Sequence, residues 1–155
     1  MYDEVELITA IITPFTAEDT IDYPALDSLT ERLLAEGTQG FVIGGTTGES
    51  PTLTHEEKLA LYAYFAAKVG TRGPVIANVG DNNTAQSVAL AAEVSAIPGV
   101  DAILAVTPYY NKPSQKGMLA HFTAIADASA VPVMLYNIPG RSAVGLTNNS
   151  VVTLA

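Results

Sequence analysis

The strongest constraint on the fold of this chain is a regular alternation of two sequence patterns. Short, apolar, β-rich runs occupy residues 7–12, 41–43, 75–79, 102–107 and 133–136, and helix-like segments separate them. The runs are almost continuously apolar, which is typical of strands that are buried on both faces of a parallel sheet. Each unit takes roughly 30 residues, so the sequence predicts successive βα units whose parallel strands lie in the order 1-2-3-4-5.

The segments between the runs carry recognisable helix boundaries. The expected starts are Asp22 (with Pro24 in the first turn), Thr54, Asn83 or Thr84, Ser114, and Asn148 or Asn149. Thr54 and Glu57 form a capping box, and Gly37 and Gly70 close the first two helices. The third helix is expected to end near Pro98-Gly99. The inward residues of the second and fourth helices are predicted to be Leu59, Tyr62, Phe65, Ala66 and Val69, and Leu119, Phe122 and Ile125.

Polar, glycine-rich or aromatic segments follow all five runs, at residues 13–15, 44–50, 80–83, 108–113 and 137–141. A doubly wound sheet concentrates its functional loops at one switch point, whereas a barrel gathers every βα loop at the same end. We therefore predict an α/β fold that is an incomplete TIM (β/α)8 barrel, comprising the first five βα units in one partial domain over residues 1–155, truncated before strand 6. The length of 155 residues would also suit a complete five-stranded doubly wound sheet, which is the alternative.

Charge and composition limit the possible partners. The net charge is -9 with only seven basic residues, which disfavours nucleic acids and anionic membranes. There is no cysteine and no apolar stretch of 18 residues or more, and residues 1–6 lack the basic and apolar parts of a signal peptide, so a cytoplasmic protein is expected. His55 and His121 do not form a ligand pair, and we predict no metal site.

Several residues in the loops are suited to binding and proton transfer. The hydroxyls of Thr46 and Thr47, beside backbone N–H groups, suit a carboxylate ligand, although the same threonines could simply satisfy a tight βα turn. Tyr136 ends the fifth run and is either a general acid or base or a half-buried core tyrosine. Arg141 is either a carboxylate anchor or a solvated charge.

Two further features concern the nucleophile and the surface. None of the four lysines, Lys58, Lys68, Lys112 and Lys116, ends a strand where a desolvated amine could act as a nucleophile. Tyr109 and Tyr110 lie in a loop bounded by prolines, and aromatic residues of this kind often anchor an interface between proteins.

Four segments in order, residues 9–15, 45–50, 106–111 and 135–141, resemble the dihydrodipicolinate synthase family of pyruvate-dependent class I aldolases. The resemblance covers essentially the whole chain. It implies a lyase of lysine and diaminopimelate biosynthesis that needs no cofactor and condenses pyruvate with aspartate 4-semialdehyde. In that family a lysine on strand 6 forms a Schiff base with pyruvate. The sequence ends at Ala155, before that position, so we expect an N-terminal fragment that is inactive by itself.

The resemblance also assigns roles to individual residues. Thr46 and Thr47 match the residues that bind the pyruvate carboxylate, and Arg141 matches the anchor for the carboxylate of the aldehyde substrate. The hydroxyls of Thr46, Tyr110 and Tyr136 match a proton relay. A neighbouring subunit supplies Tyr110 in this family, which implies a homodimer or a dimer of dimers.

The same resemblance implies a regulatory pocket for lysine. The chain matches four of its residues, Ser50, His55, Asn82 and Tyr109. It has Lys58 where a second histidine is expected and Gln86 where a glutamate is expected. We therefore predict that lysine inhibits the full-length enzyme weakly, if at all. Gln86 removes the carboxylate that would bind the ammonium group of the ligand, and Lys58 adds a positive charge that repels it.

Two other functions remain open at this point. N-acetylneuraminate lyase and the sugar-acid aldolases share the fold and the Schiff base, and they differ in the second substrate. A non-catalytic half-barrel that only assembles with other subunits is the alternative from a different class.

Overall fold

The computed structural model describes residues 5–155, and four residues of the 1–6 segment discussed above lie outside the described part. Strands and helices alternate along it. The strands are β1 (Ile8–Ala10), β2 (Gly40–Ile43), β3 (Val75–Asn78), β4 (Ala102–Val106) and β5 (Val133–Tyr136). The helices are α1 (Tyr23–Ala35), α2 (His55–Val69), α3 (Thr84–Val94), α4 (Gln115–Ala128), α5 (Pro139–Ser142) and α6 (Asn148–Leu154).

The strands form one sheet in the order β1-β2-β3-β4-β5. β1 pairs with β2, β2 with β3, and β4 with β5, all in parallel. This sequential order confirms the prediction and excludes the 2-1-3-4-5 order of a flavodoxin-like doubly wound sheet.

The described residues divide into two compact units, the first of which contains residues up to 78 together with 97–101. This unit, called unit 1 below, holds β1 to β3 with α1 and α2. The Asp22 carboxylate caps α1 by accepting a hydrogen bond from the backbone N–H of Ala25 at 2.9 Å. The predicted capping box of Thr54 and Glu57 is present at the start of α2. The core includes an edge-to-face contact between Phe41 and Phe65, whose ring centroids lie 5.3 Å apart.

One expectation for α2 is wrong in detail. Leu61 is fully buried, whereas Leu59 is only half-buried. The buried stripe runs through Leu61, Tyr62, Phe65, Ala66 and Val69, so Leu59 lies at its border.

The second unit, unit 2, contains residues 79–96 and 102–155, with α3, β4, α4, β5, α5 and α6. Asn83 and Ser114 cap α3 and α4 as predicted, and Thr147, one residue before the expected position, caps α6. In α4 Met118, His121, Phe122 and Ile125 are buried, while Leu119 is half-buried. α3 ends at Val94, earlier than the expected end near Pro98-Gly99. Ser95 caps it, and the Ser95 hydroxyl accepts a hydrogen bond from the backbone N–H of Ala130 at 3.0 Å.

The prediction that all strands are buried on both faces is wrong for β1 and β5. All four residues of β3 are buried. The residues of β1 and β5 are half-buried or exposed, because these are the outermost strands of the sheet.

Candidate functional site

The segment after β2, residues 44–50, forms a compact turn that presents both candidate threonines to solvent. Residues 46–48 make one turn of 3-10 helix, which the N–H of Gly48 closes by donating to the carbonyl of Gly45 at 3.0 Å. Thr46 and Thr47 are exposed on this turn. Their hydroxyls lie at the carboxyl end of β2, which is the end of a parallel strand where ligands bind in α/β folds.

Two neighbouring strands of unit 1 hold this turn in place. The Thr13 hydroxyl, just after β1, donates to the carbonyl of Gly48 at 2.8 Å. On the opposite side, the side-chain amide of Asn78, at the end of β3, donates to the hydroxyl of Ser50 at 3.3 Å. Thr13, Asn78 and Ser50 are all buried. The two exposed threonines therefore lie directly before a part of the turn, Gly48 to Ser50, that is held by buried hydrogen bonds.

In unit 2 the adjacent tyrosines after β4 face different environments. Tyr109 is half-buried, and its hydroxyl donates to the carboxylate of Asp81 at 3.5 Å. Burial and the negative charge of Asp81 raise the pKa of Tyr109. Tyr110 is 87% exposed and has a left-handed backbone with φ of 69°. The phenol of Tyr109 therefore contacts Asp81, whereas the phenol of Tyr110 faces solvent.

The loop after β3 supports the tyrosine loop. The side-chain amide of Asn82 donates to the carbonyl of Tyr109 at 3.2 Å, and that of Asn111 donates to the carbonyl of Asn82 at 3.3 Å. These bonds bring together Asn82 and Tyr109, two of the four residues predicted for the regulatory pocket. The other two lie in unit 1, with Ser50 buried in the threonine turn and His55 exposed at the start of α2.

Tyr136 and Arg141 lie at the end of β5 and in the short helix α5. Tyr136 is 38% exposed, and Arg141 is exposed. The sequence did not predict α5. Its last residue, Ser142, is buried and accepts a hydrogen bond from the hydroxyl of Thr107 at 3.0 Å, which ties α5 to the end of β4. A threonine at the last position of the predicted run 102–107 was the available signal for this contact.

His121 is buried on α4, where it packs against the start of α3. Its Nδ1 atom lies 2.8 Å from the hydroxyl of Thr84 at the start of α3. Burial lowers the pKa of His121, although the carbonyl of Val106 and the charge of Asp81 oppose the shift. The hydrogen bond between His121 and Thr84 links α4 to α3, and burial favours the neutral imidazole.

The lysines of the described chain have the surroundings of surface charges. Lys68 lies 3.3 Å from carboxylate oxygens of both Asp27 and Glu31, and these partners raise its pKa, the opposite of what a nucleophilic amine needs. Lys112 and Lys116 are exposed, and Lys58 lies in the first turn of α2.

A search of residues 5–155 finds no cluster of three or more histidine or acidic side chains with metal-binding geometry. Over the same residues, no helix is both long and apolar enough to cross a membrane.

Comparisons with known proteins place this arrangement in a family. The family model described as the dihydrodipicolinate synthetase family matches residues 4–155. A 4-hydroxy-tetrahydrodipicolinate synthase from Leuconostoc citreum is 71% identical over all 155 residues, which cover 53% of its length. The chain thus spans about half the length of the curated relatives it matches.

Solved structures agree with the family match. A dihydrodipicolinate synthase from Bacillus anthracis superposes with a TM-score of 0.95 at 50% identity, covering 99% of this chain and 52% of that one. A chloride-inhibited dihydrodipicolinate synthase from Acinetobacter baumannii, solved with pyruvate, gives 0.90 at 40% identity, over 96% of this chain and 50% of that one. These matches confirm the predicted fold class, the first five βα units of a TIM barrel. The chain belongs to the dihydrodipicolinate synthetase family.

Proposed function

We propose that the chain is the N-terminal part of a 4-hydroxy-tetrahydrodipicolinate synthase, a lyase that condenses pyruvate with aspartate 4-semialdehyde. The longer protein is called the parent enzyme below. The observation that carries this proposal is the 71% identity with the Leuconostoc citreum synthase over all 155 residues. The structure supports it with a rigid turn that presents two threonine hydroxyls at a strand end.

The chemistry begins with pyruvate binding. Thr46 and Thr47 are placed to donate hydrogen bonds to the pyruvate carboxylate, and an anion prefers several convergent donors. A lysine amine, expected outside these 155 residues, then adds to the C2 carbonyl. Loss of water gives the imine, and loss of a proton from the methyl carbon gives the enamine.

The second half of the reaction forms the carbon–carbon bond. The enamine carbon attacks the aldehyde carbon of aspartate 4-semialdehyde, and the aldehyde oxygen takes up a proton. Arg141 is exposed and is placed in this proposal against the carboxylate of that substrate. Each step moves protons, and the hydroxyls of Thr46, Tyr110 and Tyr136 are the proposed carriers.

The proposal includes an oligomer and the location of the protein. The exposed phenol of Tyr110 supports its contribution to a neighbouring subunit, in a dimer or a dimer of dimers. A single partial barrel domain over residues 1–155, truncated before strand 6, and a cytoplasmic location remain predictions. No described residue favours N-acetylneuraminate lyase, a sugar-acid aldolase or a non-catalytic module over the synthase.

The test compares the parent enzyme with its Thr47→Val variant. Incubation with pyruvate and borohydride should leave a covalent adduct on the parent enzyme, and aspartate 4-semialdehyde should be consumed in the presence of pyruvate. Thr47→Val should lower kcat/KM for pyruvate roughly ten- to hundredfold, because a hydrogen bond to a charged group is worth about 1.5–3 kcal/mol. The matched control is Thr71→Val, which alters an exposed threonine on a turn that is remote in sequence from Thr47. This variant should leave kcat/KM for pyruvate unchanged.

Two results would contradict the proposal. The absence of any pyruvate adduct on the parent enzyme would exclude Schiff-base chemistry and favour the non-catalytic module. Turnover with N-acetylmannosamine but not with aspartate 4-semialdehyde would assign the protein to the related sugar-acid lyases.

A further inference from the structure

Tyr62 is a buried polar residue to which the proposed reaction gives no role. It lies in the middle of α2 and is completely buried. Side chains on a helix point toward its N-terminus. The phenol of Tyr62 is accordingly directed back toward the threonine turn, residues 44–50, which precedes α2 in the chain and whose Gly44 lies against the phenol.

The hydroxyl of Tyr62 connects this turn with β3. It donates to the carbonyl of Asn78 at 2.8 Å, and the side chain of the same Asn78 donates to the hydroxyl of Ser50. Asn78 and Ser50 are each 8% exposed, so this path is shielded from solvent. A hydrogen bond in such surroundings is costly to lose, because the acceptor would remain buried without this partner.

Gly44 shows that the phenol and the turn are closely fitted. Its φ of 65° lies in the left-handed region, which already favours glycine. A Cβ atom at this position would overlap the phenol of Tyr62, at only 2.7 Å from its Cζ atom. The backbone at the start of the turn therefore lies directly against the Tyr62 ring, and the ring limits where Gly44 can move.

We propose that Tyr62 is a positioning residue that fixes the threonine turn, so that Thr46 and Thr47 hold the pyruvate carboxylate. This inference rests on the proposed function. Tyr62 does not touch substrate, because it is completely buried. Burial also raises the pKa of Tyr62 far above its ordinary value, so the hydroxyl stays protonated and donates at any working pH.

The alternative is that Tyr62 only fills the core. Phe65 provides the matched control, since it is a completely buried aromatic residue one turn further along the same stripe of α2. Its ring packs on Phe41 in the middle of β2, away from the threonine turn. A substitution of Phe65 should therefore lower stability without changing pyruvate binding.

The experiment compares Tyr62→Phe, Tyr62→Leu and Phe65→Leu in the parent enzyme. Tyr62→Phe keeps the ring and should lower kcat/KM for pyruvate about tenfold, the effect of losing roughly one buried hydrogen bond. Tyr62→Leu also removes the ring that supports Gly44, so it should lower kcat/KM for pyruvate further. For both Tyr62 variants, the factor by which kcat/KM for aspartate 4-semialdehyde falls should be at least about five times smaller than the factor for pyruvate. Phe65→Leu should leave kcat/KM for each of the two substrates within about twofold of wild type.

Hydrogen exchange gives a readout that does not depend on activity. In Tyr62→Phe the amides of residues 44–50 should exchange faster than in Phe65→Leu, while those of β2 remain equally protected. If Tyr62→Phe matches Phe65→Leu in both exchange and kcat/KM for pyruvate, the inference is overturned. If the parent enzyme does not condense pyruvate at all, the proposed function fails, and the exchange result still decides whether Tyr62 positions the turn.

Discussion

The exposed phenol of Tyr110 leads to a quantitative prediction about the parent enzyme. A tyrosine side chain that becomes buried removes about 150–250 Å² from water. Tyr110 is 87% exposed in the isolated chain, so nearly all of this area is available to a partner. At about 25 cal/mol per Å², full burial stabilises an interface by roughly 3–5 kcal/mol for each Tyr110. Tyr110→Ala should therefore raise the dimer Kd at least 100-fold.

Tyr110→Phe separates the interface role from the chemical role. It retains the ring, so the dimer Kd should stay within about threefold of wild type, while the loss of the proposed relay hydroxyl should reduce activity by about 100-fold or more. Sedimentation on serial dilution measures the first quantity, and steady-state kinetics measures the second.

Subunit mixing then tests whether Tyr110 acts in a neighbouring subunit. Tyr110→Phe and a variant lacking the proposed Schiff-base lysine should each be inactive. If Tyr110 acts in the neighbouring subunit, a mixed dimer should contain one site with an intact lysine and an intact contributed tyrosine. Random exchange at equal amounts gives mixed dimers for half of the population, so activity should recover to about one quarter of wild type. If mass measurements confirm exchange and no activity returns, Tyr110 acts within its own subunit. If Tyr110→Ala leaves the Kd unchanged, the interface argument is refuted.

Three further predictions concern the lysines and His121. The 155-residue chain, incubated with pyruvate and borohydride, should gain no stoichiometric adduct, and an adduct at Lys112 or any other lysine would refute this. The parent enzyme should be inhibited by lysine only weakly, and Lys58→His with Gln86→Glu should strengthen inhibition roughly ten- to hundredfold; micromolar inhibition of the unaltered enzyme would contradict the assignment. Burial lowers the pKa of His121 in the folded chain, so the unfolded chain binds more protons below its ordinary value of 6.5. The stability that neutral His121 contributes is present above that pH and is lost as the pH falls. Urea midpoints should therefore drop more between about pH 7 and 5 in wild type than in His121→Asn, which keeps a polar atom near Thr84, and equal slopes would show that His121 does not titrate in this way.

Local sequence signals located most of the secondary structure correctly. The caps at Asp22, Thr54, Asn83 and Ser114 depend on bonds between residues two or three apart, so they can be recognised without the fold. The apolar runs located all five strands for a similar reason, because a short and almost continuously apolar run is typical of parallel strands and is visible in the local sequence. The end of α3 was predicted too late. Pro98 restricts only the residue directly before it, whereas the helix ends four residues earlier, at Val94.

The sequence by itself determined the βα order, the family and the identity of the candidate site residues, because these follow from local patterns and from motifs in a fixed order. Only the tertiary structure decided which way the adjacent side chains face. It directs Tyr109 toward Asp81 and Tyr110 toward solvent, although the two residues are neighbours of the same type. It also shows that Tyr62, which looked like an ordinary core residue, contacts both Gly44 and Asn78. Such contacts join residues that are far apart in the sequence, and their physical basis, burial and hydrogen-bond geometry, exists only after the strands have been brought side by side.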